Sequence, residues 1–333
     1  MKKILKGILG SLLLLSLIAC GKENDKKIGE EKEMKIRVAE NHPENYPTTM
    51  GDKEFARLVE EKTKGRIKVE IHFGAALGEE SSVAEQVKLG TIEMTRISIS
   101  PLTKYSEQLS VLSLPYLYSS EEQYWKVLDG PIGEKYLEIA IPQGFRGLSW
   151  YDSGARSFYN TKKEVRTPDD LKGLKIRVQD SQVMMSLVTS LGGNPTPIPN
   201  NETYGAMQTG TIDGAENNYP SFVSGSHNEV AKFFTEDEHT RIPEGLFISE
   251  KIWQKISEGD QKIIKESALE AAKYERELWK VFSEESKEKA IASGVKVTVL
   301  TPEEKKAFAD KMVPVYEKYL KYKTEIDEIK EVK

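Results

Sequence analysis

The stretch EKTKGRIKVEIHF, residues 61–73, completes the unit of sequence that decides the fold class. Apolar side chains occupy every second position from 67 to 73, which is the period of a half-buried strand. Apolar residues at helical spacing around 55–59 precede it, and an alternating pair at 36–38 comes before those. The order is therefore strand, helix and strand, the repeating unit of an α/β protein.

The same alternation continues towards the middle of the chain. A second helix, from Ser81 or Ser82 to Leu89, is followed by an apolar strand from Ile92 to Ile99. Alternating elements of this kind favour a mostly parallel sheet. The pattern starts again close to Gly154, which predicts a second α/β lobe.

Two helices stand out in the second half of the sequence. One runs from about Gln182 to Leu191 and is closed by a pair of glycines. The other contains neither proline nor glycine from Asp260 to about Ala292, which predicts one unusually long helix able to brace both lobes. A capping-box pattern from Thr301 to Glu304 then opens a C-terminal helix, which we expect to pack across the second lobe.

The first twenty residues have the order of an export signal. Three lysines precede an apolar run from Ile8 to Ala19 that is too short to span a bilayer. The run leads into LIACG, residues 17–21, which resembles the lipobox of bacterial lipoproteins and implies cleavage before a lipid-bearing Cys20. The alternative for Cys20 is an ordinary small residue at a conventional cleavage site. It is the sole cysteine of the sequence, so a disulfide within the chain is impossible.

The segment 20–33 follows the signal at 1–19 and is almost wholly polar or charged. It cannot bury enough apolar surface to order itself, so we expect a flexible tether. The formal net charge of −5 becomes −8 once the three lysines of residues 1–19 are removed. That acidic balance disfavours nucleic acid and anionic lipid as partners. The expected location is periplasmic, or the outer face of the cytoplasmic membrane through a lipid anchor at Cys20.

Two arginines suggest a receptor for a carboxylate. Arg156 and Arg177 stand at either end of a strand, turn and strand passage, and Asn217 follows in DGAENNYP, residues 213–220. A guanidinium presents a planar fork of donors that matches a carboxylate and stays charged at any working pH. The alternative is that both arginines lie on the surface in contact with water, as isolated charged residues usually do.

No pattern typical of catalysis or of metal binding occurs in the sequence. The four histidines are scattered and none forms H-E-x-x-H, while G-x-S-x-G and G-x-x-x-x-G-K are absent. The acid pair Asp169 and Asp170 is better explained by a helix start after Pro168 than by glycosidase chemistry. We therefore expect a binding protein without a cofactor or metal, and not an enzyme. Trp150 either packs in the core or lines the binding pocket.

Several passages carry a family resemblance because they occur in a fixed order. They are KIRVAEN (35–41), EKTKGRIKVEIHF (61–73), ALGEE (76–80), PYLY (115–118), GARSFYN (154–160), TPDDLKGLKIRV (167–178), LGGNPTPIP (191–199) and YGAMQTGTIDGAENN (204–218). The chain resembles the extracytoplasmic solute-binding subunits of TRAP transporters, of the DctP type. The resemblance implies a class II-type clamshell of two α/β lobes around a cleft, crossed by strands and by a long hinge helix.

The expected lobe boundaries follow from this fold. Lobe I would contain residues 34–153 and about 243–282, and lobe II would contain 154–242 and about 283–333. The resemblance also implies a partner, an integral membrane permease driven by an ion gradient, which receives the captured solute.

The resemblance assigns roles to the candidate residues in the second lobe. Arg177, in KIRV, would clamp the ligand carboxylate, and Arg156, in GAR, would be a second arginine of the same pocket. Asn217, in DGAEN, would hydrogen-bond the ligand, with Glu216 as its support inside the lobe.

Further polar contacts are implied around the cleft. Asn41, Glu80 and Ser98 fall where the family contributes contacts from the first lobe. Arg96 and Asp180 are added because they lie close to those positions along the sequence. The set makes the ligand a small organic acid.

The kind of organic acid is predicted from the resemblance of single positions and short stretches to particular members of the family. Members that bind sialic acid carry a glutamate where Ser98 stands, so sialic acid is disfavoured. The stretches AENHPENYP (39–47), TRISIS (95–100), YDSGARSFY (151–159) and ENNYPSF (216–222) look like members that take hexuronates or related sugar acids. The alternatives are a receptor for a short dicarboxylate or keto acid and an exported hydrolase of acidic sugars, which would need two carboxylates around a scissile bond.

Overall fold

The computed structural model describes residues 33–333 of the chain. The predicted signal at 1–19, the proposed lipidation site Cys20 and the tether up to residue 32 lie outside the described residues. Eleven strands form within residues 33–333, and they are β1 (Met34–Ala39), β2 (Ile67–His72), β3 (Met94–Ser98), β4 (Phe145–Tyr151), β5 (Ala155–Asn160), β6 (Lys175–Val178), β7 (Asn194–Pro197), β8 (Gly214–Asn217), β9 (Phe233–Arg241), β10 (Glu244–Ser249) and β11 (Lys296–Val299).

The same part of the chain forms thirteen α-helices. They are α1 (Pro47–Lys62), α2 (Glu80–Leu89), α3 (Glu121–Leu128), α4 (Pro131–Glu138), α5 (Gln182–Ser190), α6 (Thr203–Gln208), α7 (Tyr219–Ser224), α8 (His227–Val230), α9 (Glu250–Trp253), α10 (Glu258–Ala292), α11 (Pro302–Asp310), α12 (Val313–Glu317) and α13 (Lys323–Glu331). Short 3₁₀ helices occur at Ser100–Lys104, Glu107–Ser113, Ile141–Gln143, Pro168–Leu171, Asn200–Glu202 and Leu320–Tyr322. None of the helices described is long and apolar enough to cross a membrane.

The strands form two separate sheets. The first has the order β2-β1-β3-β10-β4, and the second has the order β11-β9-β5-β8-β6-β7. In the first sheet β1 pairs in parallel with β2 and β3, but β10 runs antiparallel to both β3 and β4. In the second sheet β5 runs antiparallel to β8 and β9. The α/β class is confirmed, whereas the expectation of mostly parallel sheets misses these antiparallel pairs.

The antiparallel strands arise where the chain passes from one sheet to the other. It leaves the first sheet between β4 and β5 and returns between β9 and β10, and the two strands that enter a sheet in this way, β5 and β10, are the ones antiparallel to their neighbours. Gly154 lies in the first crossing with φ +59°, and a Cβ built there would lie 3.1 Å from Trp279 Nε1. Glycine fits this position because other residues rarely adopt a positive φ and have no room here.

The predicted long helix is present as α10, a continuous run of 35 residues. At 1.5 Å per residue it extends over roughly 50 Å. Ser257 caps it by accepting a hydrogen bond from the N–H of Asp260. It packs against α1 and β4 beside the first sheet and against α7 beside the second, so it braces both sides as expected.

The C-terminal segment reaches further than the sequence suggests. The capping box at Thr301 and Glu304 is present and opens α11, which packs on β9. Beyond it, the Gln123 side chain donates hydrogen bonds to three carbonyl groups at the C-terminal end of α13, those of Ile329, Lys330 and Val332. The C-terminal segment therefore contacts α3, on the side of the first sheet, as well as β9 of the second sheet.

The core buries the apolar positions identified by periodicity. Ile36, Phe55, Val59 and Ile67 belong to one cluster that also includes Ala268 of α10. Burying such side chains contributes about 1.5–3 kcal/mol each, which holds α1 and α10 on the first sheet. Trp150 also lies in the core, where its indole donates to the carbonyl of Gly133. The possibility that it lines the binding pocket is therefore wrong.

A test of the second sheet uses Gly214, at the start of β8. A Cβ at this position would lie 2.2 Å from the carbonyl oxygen of Tyr159 on β5, so Gly214→Ala must push the two strands apart. We expect a loss of about 1–3 kcal/mol in the free energy of unfolding, measured by urea denaturation.

The matched control is Gly205→Ala in α6, where a Cβ has nothing within 4 Å. This substitution should stabilise the protein by about 0.4–1 kcal/mol, because alanine restricts the unfolded chain more than glycine does. Equal effects of the two substitutions would contradict the close approach of β5 and β8.

Candidate functional site

A cavity of about 330 Å³ lies between the two sheets. In the second sheet β5 is antiparallel to β8 and β8 is parallel to β6, so Arg156, Asn217 and Arg177 share one edge. In the first sheet the end of β3 lies opposite the start of β10. The lining residues are Asn41, His42, Glu79, Glu80, Ser81, Pro101, Arg156, Arg177, Gln179, Asp180, Pro197, Ile198, Pro199, Asn200, Asn217, Ser221 and Glu244. Clefts at the carboxyl ends of strands are common ligand sites in α/β proteins.

Arg177 is a buried cation that has no counterion among residues 33–333. Its residue is 3% exposed, and its Nε donates to the carbonyl of Ile198 at 2.9 Å. The rest of the guanidinium makes no hydrogen bond or ion pair with any residue in 33–333 and lines the cavity. Burial lowers the pKa of this arginine. An anion in the cavity would supply the missing partner.

Arg156 is equally buried but already paired. Its Nε and Nη2 donate to the two carboxylate oxygens of Glu216 at 2.6 and 2.9 Å, and Nη1 donates to Asn217 Oδ1 at 2.7 Å. Burial opposes the charged form of Arg156, but Glu216 outweighs it and raises the pKa. The two arginines of the sequence analysis are therefore not equivalent, because only Arg177 lacks a carboxylate.

The orientation of Asn217 is fixed by these contacts. Its Oδ1 accepts from Arg156 and from the N–H of Asn218, at 2.7 and 2.9 Å. The amide nitrogen is thereby turned the other way, and it donates to no group of the described chain. Asn217 can therefore offer a donor to a ligand beside Arg177.

A second ion pair supports Glu216 from behind the cavity. His239 Nε2 lies 3.5 Å from Glu216 Oε2, and its Nδ1 lies 2.9 Å from Asp237 Oδ2. Burial opposes ionisation of Glu216, but Arg156 and His239 together lower its pKa to about 2. Burial also opposes the imidazolium, but Asp237 and Glu216 raise the pKa of His239 to about 9. The resemblance implied that Glu216 supports Asn217; in the structure Glu216 pairs with Arg156, and Arg156 in turn holds Asn217.

The first-sheet side of the cavity is organised by Arg96. This residue is 1% exposed and lies in β3 behind the cavity wall, so it does not line the cavity as a ligand contact would. Its guanidinium pairs with three carboxylates, those of Glu40, Glu80 and Glu244. It also donates to Asn41 Oδ1. The role we expected for Arg96 is therefore corrected: it holds the lining residues in place.

Glu80 and Asn41 line the cavity as expected. Glu80 Oε1 accepts from Arg96 Nη1 at 3.2 Å and from the N–H of Ser98 at 3.1 Å. Burial raises the pKa of Glu80 although Arg96 opposes that shift. Its other carboxylate oxygen accepts no hydrogen bond from residues 33–333, which leaves it available to a ligand hydroxyl.

Of the two remaining predicted contact residues, Asp180 lines the cavity and Ser98 does not. Ser98 does not line the cavity, and its hydroxyl instead donates to Gln179 Oε1 at 3.4 Å, joining the two sides. Asp180 is exposed and lies on the lining, as expected.

Sequence reasoning missed several lining residues. Glu244 is at the start of β10, opposite Ser98, and only the strand pairing reveals that it faces the site. Glu79 could have been noticed, since it directly precedes Glu80 in ALGEE. His42 stacks on Tyr46 with ring centroids 3.9 Å apart, and Tyr46 contacts Trp279 edge-on at 5.9 Å. This stack connects the cavity wall to α10.

Apart from the exposed Asp180 on the second-sheet side, the charges that line the cavity are separated in space. The second-sheet side offers one unpaired cation, Arg177, among the residues that line it. The first-sheet side offers Glu79, Glu80 and Glu244, of which the last two share Arg96 with Glu40. Such a site suits a molecule with a carboxylate at one end and hydroxyl donors at the other. Across residues 33–333, no group of three or more histidine, cysteine or acidic side chains could hold a metal ion.

Comparison with known proteins finds a family model and relatives that match most of the chain. The model of DctP, bacterial extracellular solute-binding protein family 7, matches residues 38–322. A solute-binding protein of Chromohalobacter salexigens is 37% identical over 288 residues, which are 86% of this chain and 85% of that protein.

Two solved structures share the fold over nearly their whole length. A TRAP periplasmic solute-binding protein from Bradyrhizobium sp. BTAi1, in complex with α/β-D-galacturonate, has a TM-score of 0.86 and 39% identity, covering 89% of this chain and 99% of that one. A second, from Roseobacter denitrificans with bound β-D-glucuronate, has a TM-score of 0.87 and 34% identity, covering 90% and 100% of the two chains.

The ion pair behind the site predicts an acid-sensitive contribution to stability. The pKa of Glu216 falls from 4.5 to about 2 on folding. Its stabilisation is therefore complete above pH 4.5 and is lost as the pH falls from about 4.5 towards 2. At neutral pH we expect Glu216→Gln to lower the free energy of unfolding by on the order of 3 kcal/mol.

The check is urea denaturation of the parent and of Glu216→Gln at a series of pH values. The gap between the two proteins should narrow as the pH falls through this window. Glu85→Gln, on the exposed face of α2, serves as the control and should show no such gap. A gap that stays constant down to pH 2 would contradict the ion pair.

Proposed function

The chain belongs to the DctP family of TRAP solute-binding proteins, family 7 of the bacterial extracellular solute-binding proteins, and we propose that its solute is a hexuronate. The observation that carries the proposal is the burial of Arg177, which faces a wall of carboxylates but pairs with no acid in residues 33–333. A hexuronate has one carboxylate for the arginine and several hydroxyl groups for the acids. The bound galacturonate and glucuronate of the two structural relatives support this choice.

Recognition begins with the carboxylate at Arg177. A guanidinium that is shut away from water costs several kcal/mol if it remains unpaired, and a carboxylate removes that cost while gaining two charge-assisted hydrogen bonds. The amide nitrogen of Asn217, which has no acceptor among residues 33–333, would donate a further hydrogen bond to the ligand beside Arg177. Arg156 contributes mainly by holding Asn217 and Glu216, because its own charge is already neutralised.

The hydroxyl groups of the sugar would be held from the opposite side. Glu80 and Glu244 present carboxylate oxygens as acceptors, Asn41 presents its amide nitrogen as a donor, and Arg96 fixes all three from behind. Each hydrogen bond of this kind contributes about 1 kcal/mol net, and more where the acceptor is charged. Asp180 is proposed as a further acceptor at the exposed rim.

Binding is proposed to shift an equilibrium between open and closed forms. The ligand touches both sides together only when the cleft is shut, so it stabilises that form. Contacts across the cleft are already available, such as Tyr46 with Ser221 at 2.8 Å between hydroxyl oxygens. The captured acid would then pass to the membrane permease of the TRAP system.

A short dicarboxylate or keto acid is the second candidate within the same class. It would satisfy Arg177 equally well, but a second carboxylate would face Glu79 and Glu80 instead of a cation. We therefore favour a hexuronate over a short dicarboxylate or keto acid as the ligand. Hydrolysis of acidic sugars is disfavoured as well. It needs two carboxylates around a scissile bond, whereas Glu80 and Glu244 are paired with Arg96 and Asp180 lies at the exposed rim, which leaves Glu79 as a single enclosed acid.

The clamp is tested by Arg177→Ala with isothermal titration calorimetry. Galacturonate and glucuronate should lose at least 100-fold in affinity, since two charged hydrogen bonds are removed. Arg57→Ala is the control, because Arg57 is exposed on α1 and pairs only with neighbours on that helix.

The same titrations identify the ligand class. The parent should bind the hexuronates more tightly than succinate, malate or pyruvate. Unchanged hexuronate binding by Arg177→Ala would refute the clamp, and stronger binding of a C4 acid by the parent would move the assignment to the second candidate.

Anchoring through a lipid at Cys20 is part of the proposed function. The full chain expressed in its host should partition into the detergent phase of a Triton X-114 extract and incorporate labelled fatty acid. Cys20→Ala should do neither. Lipid incorporation by the Cys20→Ala protein would rule out this residue as the anchor.

A further inference from the structure

Glu79 is the one acid on the first-sheet wall that is not engaged by Arg96. It directly precedes the first residue of α2, and its side chain makes no capping hydrogen bond to that helix. Its Oε1 is enclosed and accepts no hydrogen bond from any residue between 33 and 333. The side chain lines the cavity that Arg177 also lines. An unpaired anion and an unpaired cation therefore face the same small volume.

Glu79 has charged neighbours of both signs but no direct ion pair with any residue between 33 and 333. Burial raises its pKa; Arg177 and His42 oppose that shift, while Glu202 adds to it. Glu202 belongs to the 3₁₀ helix Asn200–Glu202, so an acid approaches from the second-sheet side as well. Glu80 and Glu244, by contrast, share the charge of Arg96.

A ligand that places one carboxylate on Arg177 must turn its remaining groups towards this wall. Hydroxyl groups can donate to the free carboxylate of Glu79, and each such bond satisfies an acceptor that is otherwise enclosed without a partner. A second carboxylate cannot donate, and it would be held close to a like charge in a partly buried site. The acidic wall therefore favours a ligand with hydroxyl groups and disfavours a ligand with a second carboxylate.

We infer that Glu79 is a specificity-determining residue that selects monoanionic sugar acids and rejects the corresponding diacids. This inference rests on the proposed hexuronate function and deepens it. The diacid in question is the aldarate, a sugar acid in which the terminal carbon opposite the carboxylate is also oxidised to a carboxylate. Glu79 acts by accepting from a hydroxyl group and by repelling a second negative charge.

The experiment measures the affinities of galacturonate and galactarate by calorimetry for the parent, Glu79→Gln and Glu85→Gln. Glu85 lies on α2 outside the cavity, so its substitution matches the change in charge without altering the lining. The parent should favour galacturonate by at least 100-fold. In Glu79→Gln this ratio should fall at least tenfold, through tighter binding of galactarate and weaker binding of galacturonate.

Glu85→Gln should keep the ratio of the parent. Galactarate is an open chain and galacturonate a ring, but this difference affects all three proteins alike, so the change in ratio reports the charge at position 79. A thermal midpoint for Glu79→Gln within a few degrees of the parent shows that the fold is retained.

The possible results separate the two proposals. A parent that binds both acids equally, or a ratio unchanged in Glu79→Gln, overturns the role of Glu79 and leaves the hexuronate function standing. A parent that binds neither acid overturns both. A lowered ratio in Glu79→Gln alone supports the inference.

Discussion

The burial of Arg177 with no carboxylate partner in the described part of the chain is the constraint on which the site depends. Every other buried arginine at the cavity is paired: Arg156 with Glu216, and Arg96 with three acids. Proteins rarely leave such a charge unpaired, because its desolvation is not repaid. The cavity is therefore incomplete without an anion, and the position of the anion is fixed by a strand that cannot move independently of its sheet. Specificity then depends on what lies opposite that strand.

Two strand crossings and one long helix bring these groups together. The chain returns to the first sheet through β10, which places Glu244 beside the end of β3 and completes the group of acids around Arg96. Because the cavity-lining edge of each sheet adjoins the crossings, a small rotation there would change the width of the cavity. This geometry would couple the proposed binding to the relative position of the two sheets.

Local signals were sufficient to predict much of this fold. Strict alternation at 67–73 gave β2, and the absence of glycine and proline between Asp260 and Ala292 gave α10 nearly to its true ends. The antiparallel strands could not be predicted in this way, because strand direction depends on where the chain crosses between sheets. Of the site, Arg177, Arg156 and Asn217 were named from motif and resemblance. The burial of Arg96 and the exposure of Glu244 to the cavity were not predictable, since they depend on pairing between residues 148 positions apart.

The stack of His42 on Tyr46, continued by the edge of Trp279, gives the protein a built-in optical probe. The emission of an indole ring depends on the polarity and motion of its surroundings. Trp279 contacts Tyr46, and Tyr46 stacks on His42 in the wall of the cavity. Trp279 sits in the helix that spans both sheets, beside the glycine of the first crossing. We therefore expect both filling of the site and movement of the crossing to change the emission of Trp279, so capture of a solute without a chromophore could be followed through this residue.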